Sequence, residues 1–181
     1  MNFELVNRQS VTFTFGEARG PEALGEVAAL PGVLAVEPAR ARDAVYLFNG
    51  RREREALLGL AETPRHSRLL DAELRPLSLR GDGLTLSQRL ADKLGARVGD
   101  RVRVETTDGR RLARDLQVVA IADTWVGGAG YMEVEALGRA FGELNRVSSA
   151  YAFIDPTARP ALDAAVRETP AFFQESAGAT A

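Results

Sequence analysis

Residues able to carry chemistry are few in this chain, and they do not gather. His66 is the only histidine and there is no cysteine, which excludes thiolate metal sites, disulfides, cysteine nucleophiles and any two-histidine metal site. His66 stands in the polar stretch "TPRHSR", as a solvated side chain in a loop or helix start would. It is the one candidate base for a serine nucleophile, but Ser148 and Ser149 lack the glycines of a nucleophile elbow. Asp71 with Glu73 and Glu53 with Glu55 are the close carboxylate pairs, and their polar settings suit solvated faces better than acid-base work. The glycine-rich loop "GGAG", Gly127 to Gly130, lacks both the Lys-Ser/Thr of a phosphate loop and the spacing of a dinucleotide fingerprint. No catalytic, cofactor-binding or metal-binding residue is therefore assigned, and the chain is not expected to be an enzyme.

What remains is contact. Trp125, Tyr131 and Met132 flank the glycine loop; large apolar side chains beside glycines either form an exposed contact surface or pin the loop to the core. These three are the candidate contact residues. "RRER", Arg51 to Arg54, reads as a hairpin tip in water or, alternatively, as a site for an acidic partner.

The 181 residues are 45% hydrophobic and 27% charged, enough apolar content for a folded core in one domain or two small ones. Net charge is −2, so contact with a phosphate backbone is not the default expectation. Lys93 is the only lysine among 23 basic residues, and arginine suits multidentate pairing with carboxylates. The start, "MNFELVNRQS", is not a signal peptide, and no apolar run approaches the roughly 18 residues that span a bilayer.

Periodicity supplies the elements. Val11, Phe13 and Phe15 alternate with threonines, predicting a strand over Ser10 to Phe15. Pro21 opens a helix carrying Leu24, Val27 and Leu30 on one face, and Pro31-Gly32 ends it. "VLAVEP" and Ala44 to Gly50 follow as strands; Asn49-Gly50 favours a tight hairpin, with Glu55 to Leu60 as the returning strand. A short helix is expected from Pro64 to Asp71. In "LSQRLADKLGARVGDRVRV", Ser87 is placed as an N-cap, Leu90, Ala91 and Leu94 share a face, Gly95 supplies the left-handed stop, and Val102 and Val104 begin a half-buried strand. Asp108-Gly109 predicts a second hairpin, leading to a strand over Leu116 to Ile121. A helix over Glu133 to Gly142, a strand "VSSAYAFID", a helix over Pro160 to Glu168 and a strand "AFFQES" complete the chain.

The two ends resemble one another. A shift of 139 positions puts Phe15 on Ile154, Pro21 on Pro160, Val27 on Val166, Pro31 on Pro170 and Val33 on Phe172. The expected fold is α+β: a split α/β domain built from two β-α-β units at the chain ends, residues 1–75 and 123–176, with a small β-rich subdomain over 76–122 inserted between them and a frayed tail at 177–181.

The Leu86 module by itself resembles two things, the swapped-hairpin transcription regulators of the AbrB type and a motif in the double-psi barrels of molybdopterin oxidoreductases. Neither accounts for the flanks. "LGEVAALPGVLAVEPAR", "LLGLA", "RLLDAELRPLSL", "GLTLSQRLADKLGARVGDRVRVE", "VVAIAD", "AGYMEVEALGRAFGE" and "VSSAYAFID" follow in the order seen in the large extracytoplasmic domain of ABC transporter permeases of the MacB, LolC and FtsX kind. This resemblance covers nearly the whole chain. It implies a porter-like split part and an inserted sabre-like part, lying outside the cell membrane between two transmembrane helices of the same permease. It further implies no active site and no cofactor. The partners it implies are a cytosolic ATPase acting through the membrane, a periplasmic adaptor, a lipoprotein or peptide substrate and a homodimer mate, with no nucleic acid. The alternative is a cytosolic DNA-binding regulator built on the AbrB-like module.

Overall fold

The computed structural model describes residues 9–79, 81–123, 129–168 and 174–178. Its elements are β1 (Gln9–Arg19), α1 (Glu22–Ala28), β2 (Val33–Phe48), β3 (Arg51–Leu60), β4 (Leu84–Ser87), α2 (Gln88–Leu94), β5 (Arg101–Thr106), β6 (Ala113–Ala122), β7 (Ala129–Glu133), α3 (Val134–Phe141), β8 (Val147–Ile154), a 3-10 turn (Pro156–Ala158), α4 (Arg159–Glu168) and β9 (Gln174–Gly178). They divide into two compact units, one made of both chain ends, residues 1–39 and 146–181, and one made of residues 40–145.

Unit one is an antiparallel sheet in the order β9-β1-β8-β2, with β2 contributing its first residues. Because β8 lies between β1 and β2, each β-α-β connection spans a neighbouring strand, the split β-α-β arrangement. Every second residue of β1 and β8 faces the helices. Val11, Phe13, Ala150, Ala152 and Ile154 are fully buried there against Ala23 and Val27 of α1 and Leu162 of α4. Full burial of one such large aliphatic or aromatic side chain stabilises by about 1.5–3 kcal/mol. The described part of the sequence repeat falls at matching places: Phe15 and Ile154 share one core, Pro21 and Pro160 stand at helix starts, and Val27 and Val166 face the same cluster. Pro170 and Phe172 lie outside the described residues.

Unit two is a ring of strands. β2 pairs with β5, β5 with β6, β6 with β4, β4 with β7 and β7 with β3, and β3 returns to β2. The return is made at Asn49-Gly50, where φ values of 46° and 75° give the left-handed pair that a two-residue hairpin requires. Tyr46, Leu57, Leu84, Leu86, Val102, Val104 and Val118 point into one core, shared with Leu90 and Leu94 of α2 and Leu137 and Phe141 of α3. α2 is capped as the sequence requires: Ser87 Oγ accepts from Leu90 N–H at 3.2 Å, and Gly95 at φ 70° ends the helix.

Four expectations are corrected. "VLAVEP" and Ala44 to Phe48 are one continuous strand, so the opening reads β-α-β-β. Residues 64–71 hold no helix; the segment is held by local bonds such as Leu77 N–H to Leu69 O and Leu79 N–H to Glu62 O. The inserted unit is 40–145 rather than 76–122, because β3 finds its partner in β7, roughly seventy positions along the chain, a parallel pairing that needs a long crossover. Ala177 and Gly178, expected in a frayed tail, pair with Val11 and Ser10.

Two glycines test the packing of unit one. Gly32 has φ 77°, and an added Cβ would fall against Ala158 Cβ, whereas Gly25 inside α1 has open space around it. Gly32→Ala should destabilise by about 2 kcal/mol or more through strain and overlap. Gly25→Ala should stabilise by about 0.5–1 kcal/mol. Urea unfolding of the two variants should shift in opposite directions; shifts of the same sign would contradict this packing.

Candidate functional site

Two of the three expected contact residues, Tyr131 and Met132, are buried. Tyr131 is 5% exposed and Met132 0%, both in β7, where Met132 belongs to the core of unit two. Of the two roles open to them, the structure assigns these side chains to packing, because β7 runs between β3 and β4 and is paired on both sides. Trp125, Gly127 and Gly128 lie outside the described residues. Gly130 is small for a packing reason: an added Cβ would fall on the Tyr46 hydroxyl. That hydroxyl donates to Ala56 O at 3.0 Å. Burial pushes the Tyr46 phenol far above its ordinary range, against a smaller opposing effect of its backbone bond from Gly130, so it stays a neutral donor.

The densest polar cluster is one that sequence reasoning did not select. Arg42 has a side chain only 1% exposed. Its Nε donates to Asp108 Oδ1 at 2.8 Å, and its Nη2 donates to the carbonyls of Asp108 at 2.9 Å and Arg110 at 3.4 Å. Nη1 lies 2.9 Å from Glu143 Oε2, an ion pair without an aligned hydrogen bond. The same Oε2 accepts from Arg40 Nη2 at 2.7 Å. Arg40 and Arg42 are brought together by the two-residue period of β2, Asp108 by the β5–β6 loop, and Glu143 by the turn at Gly142, φ 69°, that ends α3. The available signal was the alternation in "ARARD", which marks a strand with arginines on one face. The cluster holds no nucleophile and no free base; its chemistry is the clamping of a loop.

The carboxylate candidates are also engaged structurally. Asp71 Oδ1 accepts from the backbone N–H of Glu73 and of Arg75, each at 2.9 Å, and Oδ2 accepts from Arg75 Nε at 2.8 Å. These bonds, led by the Arg75 backbone N–H, hold the Asp71 carboxyl below its ordinary value, the opposite of what a general acid needs. Glu53 and Glu55 flank Lys93 Nζ at 3.7 and 3.4 Å, and Arg51 Nη1 donates to Lys93 O at the end of α2. Arg52 and Arg54 are exposed on β3. His66 is half-buried in the irregular segment before Leu69, and Ser149 is half-buried on β8 in the other unit. Among the described residues no three His, Cys, Asp or Glu side chains are grouped to hold a metal ion.

No family model matches the sequence, and no curated protein sequence matches it. Solved structures do match. The crystal structure of the extracellular domain of the noncanonic ABC-type transporter YknZ from Gram-positive bacteria superposes with a TM-score of 0.63 at 12% identity, covering 96% of this chain and all of that one. The fold is similar to that of this extracellular domain. The periplasmic region of MacB from Actinobacillus actinomycetemcomitans superposes with a TM-score of 0.64, also at 12% identity, covering 93% of this chain and 88% of its own. Fold is thus shared across nearly the whole length while most side chains differ.

The buried cluster and Tyr131 generate one comparison. Arg42→Ala leaves Asp108 and Glu143 without their buried partner and should cost about 3–5 kcal/mol. Arg103→Ala, removing an arginine whose side chain is 52% exposed, should cost no more than about 1 kcal/mol. Tyr131→Ala should resemble the first rather than the second, by about 3–5 kcal/mol as for other large core aromatics. Guanidinium unfolding curves give the ranking, and a Tyr131→Ala curve coincident with that of the unaltered protein would return this side chain to the surface.

Proposed function

We propose that the chain is a non-catalytic extracytoplasmic domain of an ABC transporter permease, passing ATP-driven motion of the membrane part to a substrate or adaptor protein on the outer side. The supporting observation is the likeness of fold, over 93% and 96% of the chain, to two such outer domains. On this reading unit one, formed by both chain ends, is the porter-like part to which the transmembrane helices of the same permease connect. Unit two is the sabre-like insertion. Its partners are the membrane helices, the cytosolic ATPase acting through them, and an adaptor, lipoprotein or peptide met outside. Trp125 remains the contact residue carried forward from the sequence. Arg42, Asp71 and Ser87 support a mechanical role, because they hold a loop, a turn and a helix cap.

The DNA-binding alternative draws no support from the fold. The helix and strand of the AbrB-like module are here parts of a closed ring, with Leu90, Leu94, Val102 and Val104 buried at 0–1% exposure. No helix among the described residues is long and apolar enough to cross a membrane, so spans must come from flanking sequence. The gene should encode an apolar stretch of about 20 residues close before Met1 and another close after Ala181; a gene with neither contradicts the proposal. A duplex-DNA mobility shift at low salt should show no binding, whereas salt-dependent retardation would favour the regulator.

A further inference from the structure

The turn that closes unit two is built from a reactive dipeptide. Asn49 and Gly50 are both exposed, with φ values of 46° and 75°. Among the described residues no hydrogen bond engages the Asn49 side chain or the Gly50 N–H. A carboxamide and the amide nitrogen of the next residue therefore stand side by side in water, and glycine adds no Cβ to shield its nitrogen.

Other positions isolate what is special to this one. Asn145 has the same left-handed backbone, φ 57°, and is exposed, but Arg146 follows it and brings a Cβ against the nitrogen. The chain's two aspartate-glycine pairs are Asp82-Gly83 and Asp108-Gly109, and arginine holds both carboxylates. Arg139 Nη2 donates to Asp82 Oδ1 at 3.0 Å, and Arg42 Nε donates to Asp108 Oδ1 at 2.8 Å. A carboxylate lacks the leaving group that a carboxamide offers, and these two are fixed in place besides. At Asn49 leaving group, nucleophile and access coincide.

We propose that Asn49-Gly50 is a site of spontaneous deamidation, a covalent modification that needs only water and mild base. The Gly50 nitrogen gives its proton to solvent base and bonds to Asn49 Cγ, while the Cγ–Nδ2 bond breaks and ammonia leaves. Water then opens the cyclic imide. Attack at Cγ gives aspartate with the main chain unchanged; attack at the backbone carbonyl gives isoaspartate, in which the main chain runs through Cβ and Cγ. The two products act differently on the fold. Asp-Gly suits the same tight turn as Asn-Gly, so the aspartate form keeps the hairpin. Isoaspartate lengthens a link whose type and length set the register of the strands it joins, and those strands are β2 and β3, the pair that closes the ring. The Tyr46 hydroxyl bond to Ala56 O at 3.0 Å depends on that register. Closure of unit two thus ages by chemistry at one position, whether or not the permease reading holds.

The test uses the unaltered protein, kept folded in mildly alkaline buffer at physiological temperature and sampled over weeks. Each sample is digested briefly at acid pH and analysed by mass spectrometry, with fragmentation that distinguishes isoaspartate from aspartate. Asn49 should convert at least about tenfold faster than Asn145, a barrier difference of about 1.4 kcal/mol. The isoaspartate form, separated by chromatography, should unfold at a lower urea concentration than the unaltered protein, while Asn49→Asp should unfold with the unaltered protein. Equal rates at Asn49 and Asn145 overturn the site. An isoaspartate form as stable as the unaltered protein overturns its effect on the ring, and an Asn49→Asp variant that unfolds as early as the isoaspartate form overturns the main-chain explanation in favour of the added charge.

Discussion

Unit two depends on one strand being paired on both sides. β2 hydrogen-bonds to β5 along one edge and folds back at Asn49-Gly50 to bond β3 along the other. That return closes the ring and leaves none of its six strands with a bare edge. The Tyr46 hydroxyl then fixes the closure from inside, reaching Ala56 of β3 across a space that Gly130 of β7 keeps open. With the ring closed, the apolar faces of α2 and α3 have a continuous core to cover, and their caps at Ser87 and Glu133 set where each helix begins.

The ring is bought with polar groups as well as apolar ones. Arg42 is fully enclosed yet makes contacts to a carboxylate, two carbonyls and a second carboxylate, which is how a buried guanidinium is tolerated. Buried ion pairs are weak sources of net stability compared with apolar packing; what this one supplies is position, holding the β5–β6 loop and the end of α3 to β2. Ser87 serves the same purpose at smaller scale, accepting from Leu90 N–H in its own helix and from Ala129 N–H in β7.

The sequence made local structure legible wherever local chemistry decides it. Asn49-Gly50, Ser87 with Gly95, and the alternation of Val11, Phe13 and Phe15 each declare a hairpin, a capped helix and a half-buried strand from within a few residues. The repeat linking Pro21 to Pro160 pointed to paired β-α-β units at the ends. What escaped was decided at long range. The pairing of β3 with β7 enlarges the inserted unit at both ends, and nothing within either strand announces it. A helix over Pro64 to Asp71 was the expectation, but Asp71 takes the backbone N–H groups of Glu73 and Arg75 and closes a turn instead. Which of the two roles Tyr131 and Met132 take was undecided for a related reason: they are large and lie beside glycines, and only the pairing of β7 on both sides shows that the core takes them. Arg42 was passed over because a buried arginine and a solvated one look alike until Asp108 and Glu143 are seen around it.

The central claim, an outer-side domain of a membrane permease, is tested most directly by compartment. A single cysteine placed at Val119, which is 47% exposed, would be unique in this chain. In protein expressed from its own gene, that cysteine should react with a membrane-impermeant maleimide added to intact spheroplasts. Labelling only after the membrane is broken would place the domain in the cytosol and contradict the account.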